Sequence, residues 1–139
     1  MKQITYSEEN EFDKEQILNL YNDAGWTNYT FNPDNLMQAI ANSLYVNAAY
    51  DGDKLVGLLR AVGDAKTIIY IQDILVLQEY RKIGIGRELM KSTLDKYSSV
   101  RQIVLLTDND PNTKAFYEKA GLQNAGSLNL ISFIKLNTA

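Results

Sequence analysis

The run Val76-Leu-Gln-Glu-Tyr-Arg-Lys-Ile-Gly-Ile-Gly-Arg87 gathers two glycines and three cations into its last seven residues. Gly84 and Gly86 carry no Cβ, so a ligand can come close to the main chain and the backbone can reach φ values closed to other residues. If a helix begins here, its first N–H groups point one way without intrahelical partners, and its dipole adds partial positive charge. Arg81, Lys82 and Arg87 then surround that nest with mobile cations, which hold phosphate as forks or point charges. The chemistry suited to this stretch is phosphate binding. The same string also serves as a plain strand-to-helix turn, and its surroundings separate the two readings.

Ile68 to Leu77, ahead of the turn, is apolar and rich in β-branched residues, which predicts a strand. Behind it, Ile85, Leu89, Met90, Leu94 and Tyr97 recur at helical intervals. The turn therefore joins a strand to a helix. A P-loop needs Gly-x-x-x-x-Gly-Lys-Ser/Thr, which is absent, and a dinucleotide fingerprint needs a small residue where Leu89 stands. Upstream, Tyr45 to Tyr50 and Leu55 to Val62 read as a hairpin around Asp51-Gly52. Gly63-Asp64-Ala65-Lys66 turns the chain again into the strand from Thr67 to Leu77. Three antiparallel strands ahead of the glycine turn argue against a dinucleotide fold, whose glycine turn follows its first strand.

The N-terminal third predicts a short edge strand at Ile4 and Tyr6, then two helices. Asp13 and Gln16 are spaced as a capping box, and Ile17, Leu20, Tyr21 and Ala24 share a helix face that Gly25 ends. Asn32-Pro33 opens the second helix, whose stripe is Leu36, Met37, Ile40, Ala41 and Leu44. The aromatic stretch from Gly25 to Phe31 is either a loop folded over the core or a substrate wall. In the second case Trp26 and Tyr29 pack on an apolar group or face an ammonium ion. Beyond the glycine turn, Gln102 to Thr107 reads as a parallel strand covered on both faces, reached by a βαβ crossover. Asp110 and Pro111 start a helix that Gly121 closes, and Leu128 to Leu136 forms a last strand.

A chain of 139 residues with 45% hydrophobic and 22% charged residues suits one soluble domain. A net charge of −3 argues against a broad nucleic-acid surface. The absence of cysteine and histidine removes thiolate catalysis, disulfides, the usual neutral-pH base and the common zinc ligands, so no metal is expected. No apolar run approaches the ~20 residues that span a bilayer, and Met1-Lys2-Gln3 does not read as the start of a signal peptide. The expected location is cytoplasmic, with no membrane or nucleic-acid partner.

The order β-α-α-β-β-β-α-β-α-β resembles the GNAT superfamily of acyl-CoA N-acyltransferases across essentially the whole chain. Two motifs carry the resemblance. One is Asp73-Ile-Leu-Val76 followed by Tyr80-Arg81-Lys82-Ile83-Gly84-Ile85-Gly86; the other is Asn112-Thr-Lys-Ala-Phe-Tyr117-Glu-Lys-Ala-Gly121. Gln78 departs from a common proline, Ile83 from a lysine or glycine, Asp110 from an asparagine and Leu122 from a phenylalanine. The resemblance implies a single α/β domain over residues 1–139. It implies a mixed, mostly antiparallel sheet of about six to seven strands, about four flanking helices and a parallel βαβ unit around the glycine turn.

The activity implied is N-acetyl transfer from acetyl-CoA to a primary amine, by direct attack on the thioester in a ternary complex. The main chain and cations of Arg81, Lys82, Ile83, Gly84, Ile85, Gly86 and Arg87 would hold the diphosphate. By resemblance, Ile74 and Leu75 line the pantetheine, an N–H near Val76 serves as oxyanion donor, and Asn112 and Tyr117 also meet the cofactor. Tyr117 fits the family's acid, which protonates the leaving thiolate; periodicity alone reads it as a core tyrosine beside Phe116. Asp73 interrupts an apolar strand and is the leading proton-acceptor candidate, though it reads at least as well as a polar side chain bonded to a neighbouring N–H. Asp108 is a weaker base candidate. The acceptor is a small amine, a polyamine or a peptide amine, and homodimerisation is common in the family. The competing readings are a CoA-binding regulatory module without turnover and a nucleotide-binding protein.

Overall fold

The computed structural model describes residues 3–138. Met1 and Lys2, which open the stretch considered for a signal peptide, lie outside the described residues, as does Ala139. The chain divides into two compact units, residues 1–106 and residues 107–139.

The first unit is one mixed sheet with helices. Its strands are β1 (Ile4–Glu8), β2 (Tyr45–Asp51), β3 (Lys54–Gly63), β4 (Ile68–Val76) and β5 (Gln102–Leu105), adjacent in that order. The first three pairings are antiparallel and β4–β5 is parallel. Its helices are α1 (Lys14–Asp23), α2 (Thr27–Thr30), α3 (Pro33–Ala41) and α4 (Ile85–Lys96). The βαβ crossover expected around the glycine turn is therefore present as β4-α4-β5.

Sequence chemistry sets most boundaries. Asp13 accepts the Gln16 N–H at 3.2 Å and starts α1, but the capping box is only half made. The Gln16 side chain instead donates to the Asp53 carbonyl and accepts the Leu55 N–H at 2.7 Å, tying α1 to the hairpin. Asn32 caps α3 with Pro33 at its first position. The α3 stripe is narrower than the periodicity suggests: Leu36 and Ile40 are buried, whereas Ala41 and Leu44 are exposed. Gly52 takes the positive φ that the β2–β3 turn requires.

β3 is buried along both faces, which places it at the centre. Gly57 and Arg60 are three residues apart and so point to opposite sides. Ile85 of α4 covers the first, and α1 reaches the second side through Tyr21 and Asp73. Two slips in register accompany this strand, one between Ala49 and Tyr50 and one between Arg60 and Ala61, where Gln72 is the extra residue on β4. Such bulges bend a strand and re-aim its side chains.

In the second unit, Asp110 caps α5 (Pro111–Ala120) by accepting the Asn112 N–H at 3.1 Å, and Gly121 ends it at φ 105°. Leu122 N–H then bonds back to the Tyr117 carbonyl, closing the helix end.

The strand and helix counts differ from expectation. Five strands and five helices are present among the described residues, not six to seven strands and four helices. The fifth helix is α2, a single turn where an aromatic loop was expected. The last strand is missing: Ala125–Leu128 winds into a 3-10 turn, Asn129 takes φ 59°, and residues 130–138 join no ladder. Apolar β-branched composition supplies propensity, but a strand exists only as half of a pair. β5 is also less covered than predicted, its Ile103, Val104 and Leu105 being half-buried. No helix among the described residues is long and apolar enough to cross a membrane.

The turn into β4 offers a test. Gly63 sits at φ 142°, and a Cβ there would collide with the Ile68 carbonyl oxygen. Gly63→Ala should cost about 1–3 kcal/mol, read as a lower urea midpoint; an unchanged midpoint would contradict this turn.

Candidate functional site

The glycine turn begins with two residues in the left-handed region. Lys82 has φ 68° and Gly84, the N-cap of α4, has φ 94°. Gly86 uses no positive φ and sits in the first helical turn, so the conformational argument holds for Gly84 alone. Arg81 N–H bonds to the Gln78 carbonyl, and the first helical bond runs from Glu88 N–H to the Gly84 carbonyl at 3.0 Å. Between them the amides of Lys82 through Arg87 meet no loop, cap or side-chain acceptor among the described residues, and no side chain caps α4. Arg81, Lys82 and Arg87 are exposed, and none makes an ion pair among the described residues. The Arg87 guanidinium folds back over the turn, 3.2 Å from where a Gly84 Cβ would stand. Ile83 is exposed, while Ile85 is buried on Gly57. This is an open set of oriented donors with loose cations around it, an arrangement suited to an anion.

The strand feeding the turn has a free edge. β4 pairs with β3 from Ile69 to Val76, but with β5 only from Ile68 to Ile71. Gln72 to Val76 therefore have no strand on their outer side among the described residues. Leu77 N–H donates to the Val56 carbonyl at 2.9 Å. Bonded and non-bonded pairs alternate in an antiparallel ladder, so Leu75 shares its bonds with β3 whereas Ile74 and Val76 turn theirs outward. Arg81 Nε donates to the outward Val76 carbonyl at 3.1 Å. The Val76 N–H is left facing the open side.

On the α1 side of β4, Asp73 is almost fully buried, 1% exposed. Its Oδ2 accepts from the Tyr21 hydroxyl at 2.8 Å and from Arg60 Nε at 2.8 Å. Arg60 is its cross-strand neighbour on β3 and is likewise buried. Side chains rather than a backbone N–H satisfy this oxygen; Oδ1 has no partner among the described residues. Burial alone would lower the Arg60 pKa, yet the Asp73 carboxylate holds it above its ordinary value. Burial, with the Asp73 charge adding to it, pushes the Tyr21 hydroxyl far up.

An aromatic corner stands beside this pair. Tyr21 lies edge-on to Trp26 at 5.9 Å and to Tyr29 at 5.6 Å between centroids, and Trp26 lies 6.0 Å from Tyr29. Trp26 and Tyr29 are half-buried. Gln72 Nε2 donates to the Tyr29 hydroxyl at 2.9 Å, and burial followed by the Asp73 charge raises the Tyr29 pKa. The two predicted acceptor residues and the predicted base thus share one corner. The end of α1 is also fastened to the turn after β4: Gln78 N–H donates to Asp23 Oδ2 and Gln78 Nε2 to the Asp23 carbonyl, both at 2.8 Å. A proline at position 78 could make neither bond.

Asn112 and Tyr117 belong to α5 of the second unit. The Asn112 N–H is taken by its cap, Asp110. Tyr117 is half-buried with its ring 5.0 Å from Phe116 at 83°. Burial raises its pKa, Thr107 opposing and the Asp108 charge adding. Asp108 is exposed. No group of three or more acidic, histidine or cysteine side chains that could hold a metal occurs among the described residues.

Sequence reading missed Arg60, Tyr21 and Gly57 as parts of the site. Arg60 was visible as the one charge inside an apolar strand. Tyr21 gave no signal beyond its place on the buried face of α1.

Comparison with known proteins bears on the family and the fold. Residues 4–132 match a family model described as an acetyltransferase (GNAT) domain. A GNAT family acetyltransferase from Streptococcus pneumoniae is 34% identical, with 99% of this chain and 100% of that one aligned at a TM-score of 0.87. Two more distant structures share the fold. An aminoglycoside acetyltransferase from an uncultured soil metagenomic sample, in complex with sisomicin, is 18% identical over 97% of each chain at a TM-score of 0.72. Aminoglycoside N-acetyltransferase AAC(6')-Iy in complex with CoA is 14% identical over 99% of this chain and 97% of that one, at 0.72. No curated protein matches the sequence.

The buried pair yields a stability prediction. Asp73→Asn strands Arg60 without its counter-ion and should cost about 3–5 kcal/mol, whereas replacing both residues by apolar ones costs far less. Urea denaturation of the single and double variants measures this. Equal losses in the two would show that the pair is not a coupled unit.

Proposed function

The chain belongs to the GNAT acetyltransferase family, and on that premise we propose that it moves an acetyl group from acetyl-CoA to a primary amine. Attack is direct, in a ternary complex, and residues 1–139 act as one acetyltransferase domain. The observation that carries this reading is the run of amides from Lys82 to Arg87 that, among the described residues, meet no acceptor, beside the outer edge of β4 that pairs with no strand there. Acetyl-CoA supplies an acyl group activated as a thioester.

In this proposal the amides of Lys82, Ile83, Gly84, Ile85, Gly86 and Arg87, with the Arg81, Lys82 and Arg87 side chains, hold the diphosphate. Ile74 and Leu75 line the pantetheine, and Asn112 adds a contact. The outward Val76 N–H is a fixed donor for an oxygen that gathers negative charge, and a donor already in place needs no reorganisation during the reaction. Trp26 and Tyr29 face the acceptor, where aromatic rings stabilise an ammonium ion. Asp73 Oδ1 takes the amine's proton, directly or through a water. Tyr117 gives its proton to the departing sulfur. A thiol ionises near ~8.5 and a tyrosine near ~10, and the raised Tyr117 pKa keeps that proton available across the neutral range. A C–N bond forms as the C–S bond breaks, and the two protons balance. The acceptor is a small amine, a polyamine or a peptide amine; that two structural neighbours are aminoglycoside acetyltransferases supports a small amine.

The deciding assay is acetyl-CoA-dependent release of CoA over a panel of amines. Thermal shifts with acetyl-CoA, ATP and NAD run alongside, since a ligand that binds only the native state raises its stability. Stabilisation by acetyl-CoA without turnover on any amine would favour a CoA-binding module. Gly84→Glu adds a Cβ at φ 94° and a negative charge, and should abolish CoA binding while the circular dichroism spectrum persists. Tyr117→Phe should lower kcat roughly 10²-fold or more with CoA affinity unchanged. It should also erase the fall in kcat expected of the wild type as pH rises through the Tyr117 pKa, which burial raises. Full turnover in that variant removes Tyr117 from the mechanism.

A further inference from the structure

Asp73 Oδ1 is buried and has no partner within hydrogen-bond distance among the described residues, while Tyr21 and Arg60 already occupy Oδ2. A nitrogen arriving from solvent does not touch an atom enclosed in this way. Tyr29 is placed to reach both. It is half-buried on the single turn α2, and its ring lies edge-on to that of Tyr21 at 5.6 Å. Its hydroxyl is near enough to Asp73 for the carboxylate charge to raise its pKa. A phenol both accepts and donates hydrogen bonds. The Tyr29 oxygen accepts from Gln72 Nε2 at 2.9 Å, but its own proton meets no acceptor within hydrogen-bond distance among the described residues. A donor without an acceptor thus stands beside an acceptor without a donor.

Gln72 marks the place where β4 leaves regular pairing, as the extra residue of the bulge opposite Arg60 and Ala61. In a regular strand, neighbouring side chains point to opposite faces, which would send Gln72 away from Asp73. Here Gln72 reaches Tyr29 while Asp73 reaches Tyr21, and those two rings pack edge to face. The bulge has therefore brought both polar side chains to one side of the sheet. With the Gln72 amide donating to the Tyr29 oxygen, the hydroxyl proton is turned away from Gln72 and left for another acceptor.

We propose that Tyr29 relays the proton of the acceptor amine to Asp73 and that Gln72 is the residue positioning it, a role that rests on the acetyltransferase reading. The ammonium proton passes to the Tyr29 oxygen while the Tyr29 proton passes to Asp73 Oδ1. One N–H and one O–H bond break and two O–H bonds form. Tyr29 ends as a phenol and Asp73 as a carboxylic acid, and the nitrogen keeps the electron pair that attacks the thioester. The reverse exchange, with water in place of the amine, returns the proton to solvent after product leaves. Burial and then the Asp73 charge keep the Tyr29 hydroxyl protonated through the neutral range, so it has a proton to pass on. Arg60 from β3 and Tyr21 from α1 are the other ionisable groups that face this carboxylate; both hold Oδ2, which leaves Oδ1 to receive the proton.

The test is the pH profile of kcat/KM for an alkylamine that the wild type acetylates, its ammonium ionising near ~10. The wild type takes the ammonium form and should stay level between about pH 7 and 9. Tyr29→Phe keeps the ring but accepts only amine already deprotonated in solution. Its kcat/KM should rise about tenfold per pH unit over that range, and its kcat near neutral pH should fall roughly 100-fold, with CoA affinity unchanged. Gln72→Leu should lower kcat roughly 5-fold at unchanged CoA affinity. It should also raise the Tyr29 ionisation followed by NMR of ring-labelled tyrosine, because the donor that favours the phenolate is gone. A Tyr29→Phe enzyme with the wild-type rate and profile overturns the relay and leaves the acetyltransferase reading intact. A wild type that turns over no amine brings down that reading, and the relay with it. Should Tyr29→Phe lose its circular dichroism spectrum, Gln72→Leu decides: an unchanged kcat and an unmoved Tyr29 ionisation overturn the proposal.

Discussion

The ladder between β4 and β5 ends at Ile71, and from there on β4 is a strand with one bonded side and one open side. Backbone polar groups left unpaired inside a protein are costly, so such an edge persists only where water or a ligand can reach it. Continuing the same strand leads to Val76, whose carbonyl is held by Arg81, and then to a turn whose amides are also open. Open main-chain donors thus occur on the outward side of β4 and again in the turn that starts α4. The packing of Gly57 under Ile85 lets that helix start close against the sheet. A larger residue at Gly57 would press on the Ile85 side chain, 3.0 Å from where a Cβ would stand.

A charge pair supports the other side of the same strand. Arg60 and Asp73 face each other across β3 and β4 in almost complete burial, with Tyr21 as a third member. Burying two ions is expensive, and their attraction offsets it only when the remaining hydrogen-bond capacity is filled. Here one carboxylate oxygen accepts two hydrogen bonds and the other has no partner within hydrogen-bond distance among the described residues. The incomplete oxygen lies on the face of the sheet that also carries the aromatic corner of Trp26 and Tyr29. An orphaned acceptor beside rings is a costly arrangement for stability alone, and it is the kind of local departure that functional sites retain.

The sequence disclosed the parts of this fold that depend on local chemistry. The caps at Asp13, Asn32 and Asp110, the positive φ at Gly52 and Gly121 and the strand–turn–helix order around Gly84 all follow from residue type and spacing. Arrangements set by distant partners were not legible. The pairing of Arg60 with Asp73 requires knowing the register of β3 against β4, which a bulge at Gln72 alters. Gln78 looked like a departure from a proline, and only the structure reveals its two bonds to Asp23. Leu128 to Leu136 has every local mark of a strand, but ladder formation depends on a neighbour that residue type cannot name. For Tyr117 the resemblance implies a chemical role where periodicity reads a core tyrosine, because a helix face reports burial and not reactivity.

The Asp23–Gln78 clasp has a mechanical corollary. Asp23 terminates the helix bearing Tyr21, and Gln78 leads directly into the segment that ends at Gly84. Two short bonds therefore weld the ring-lined recess and the cation-ringed loop into a single lever.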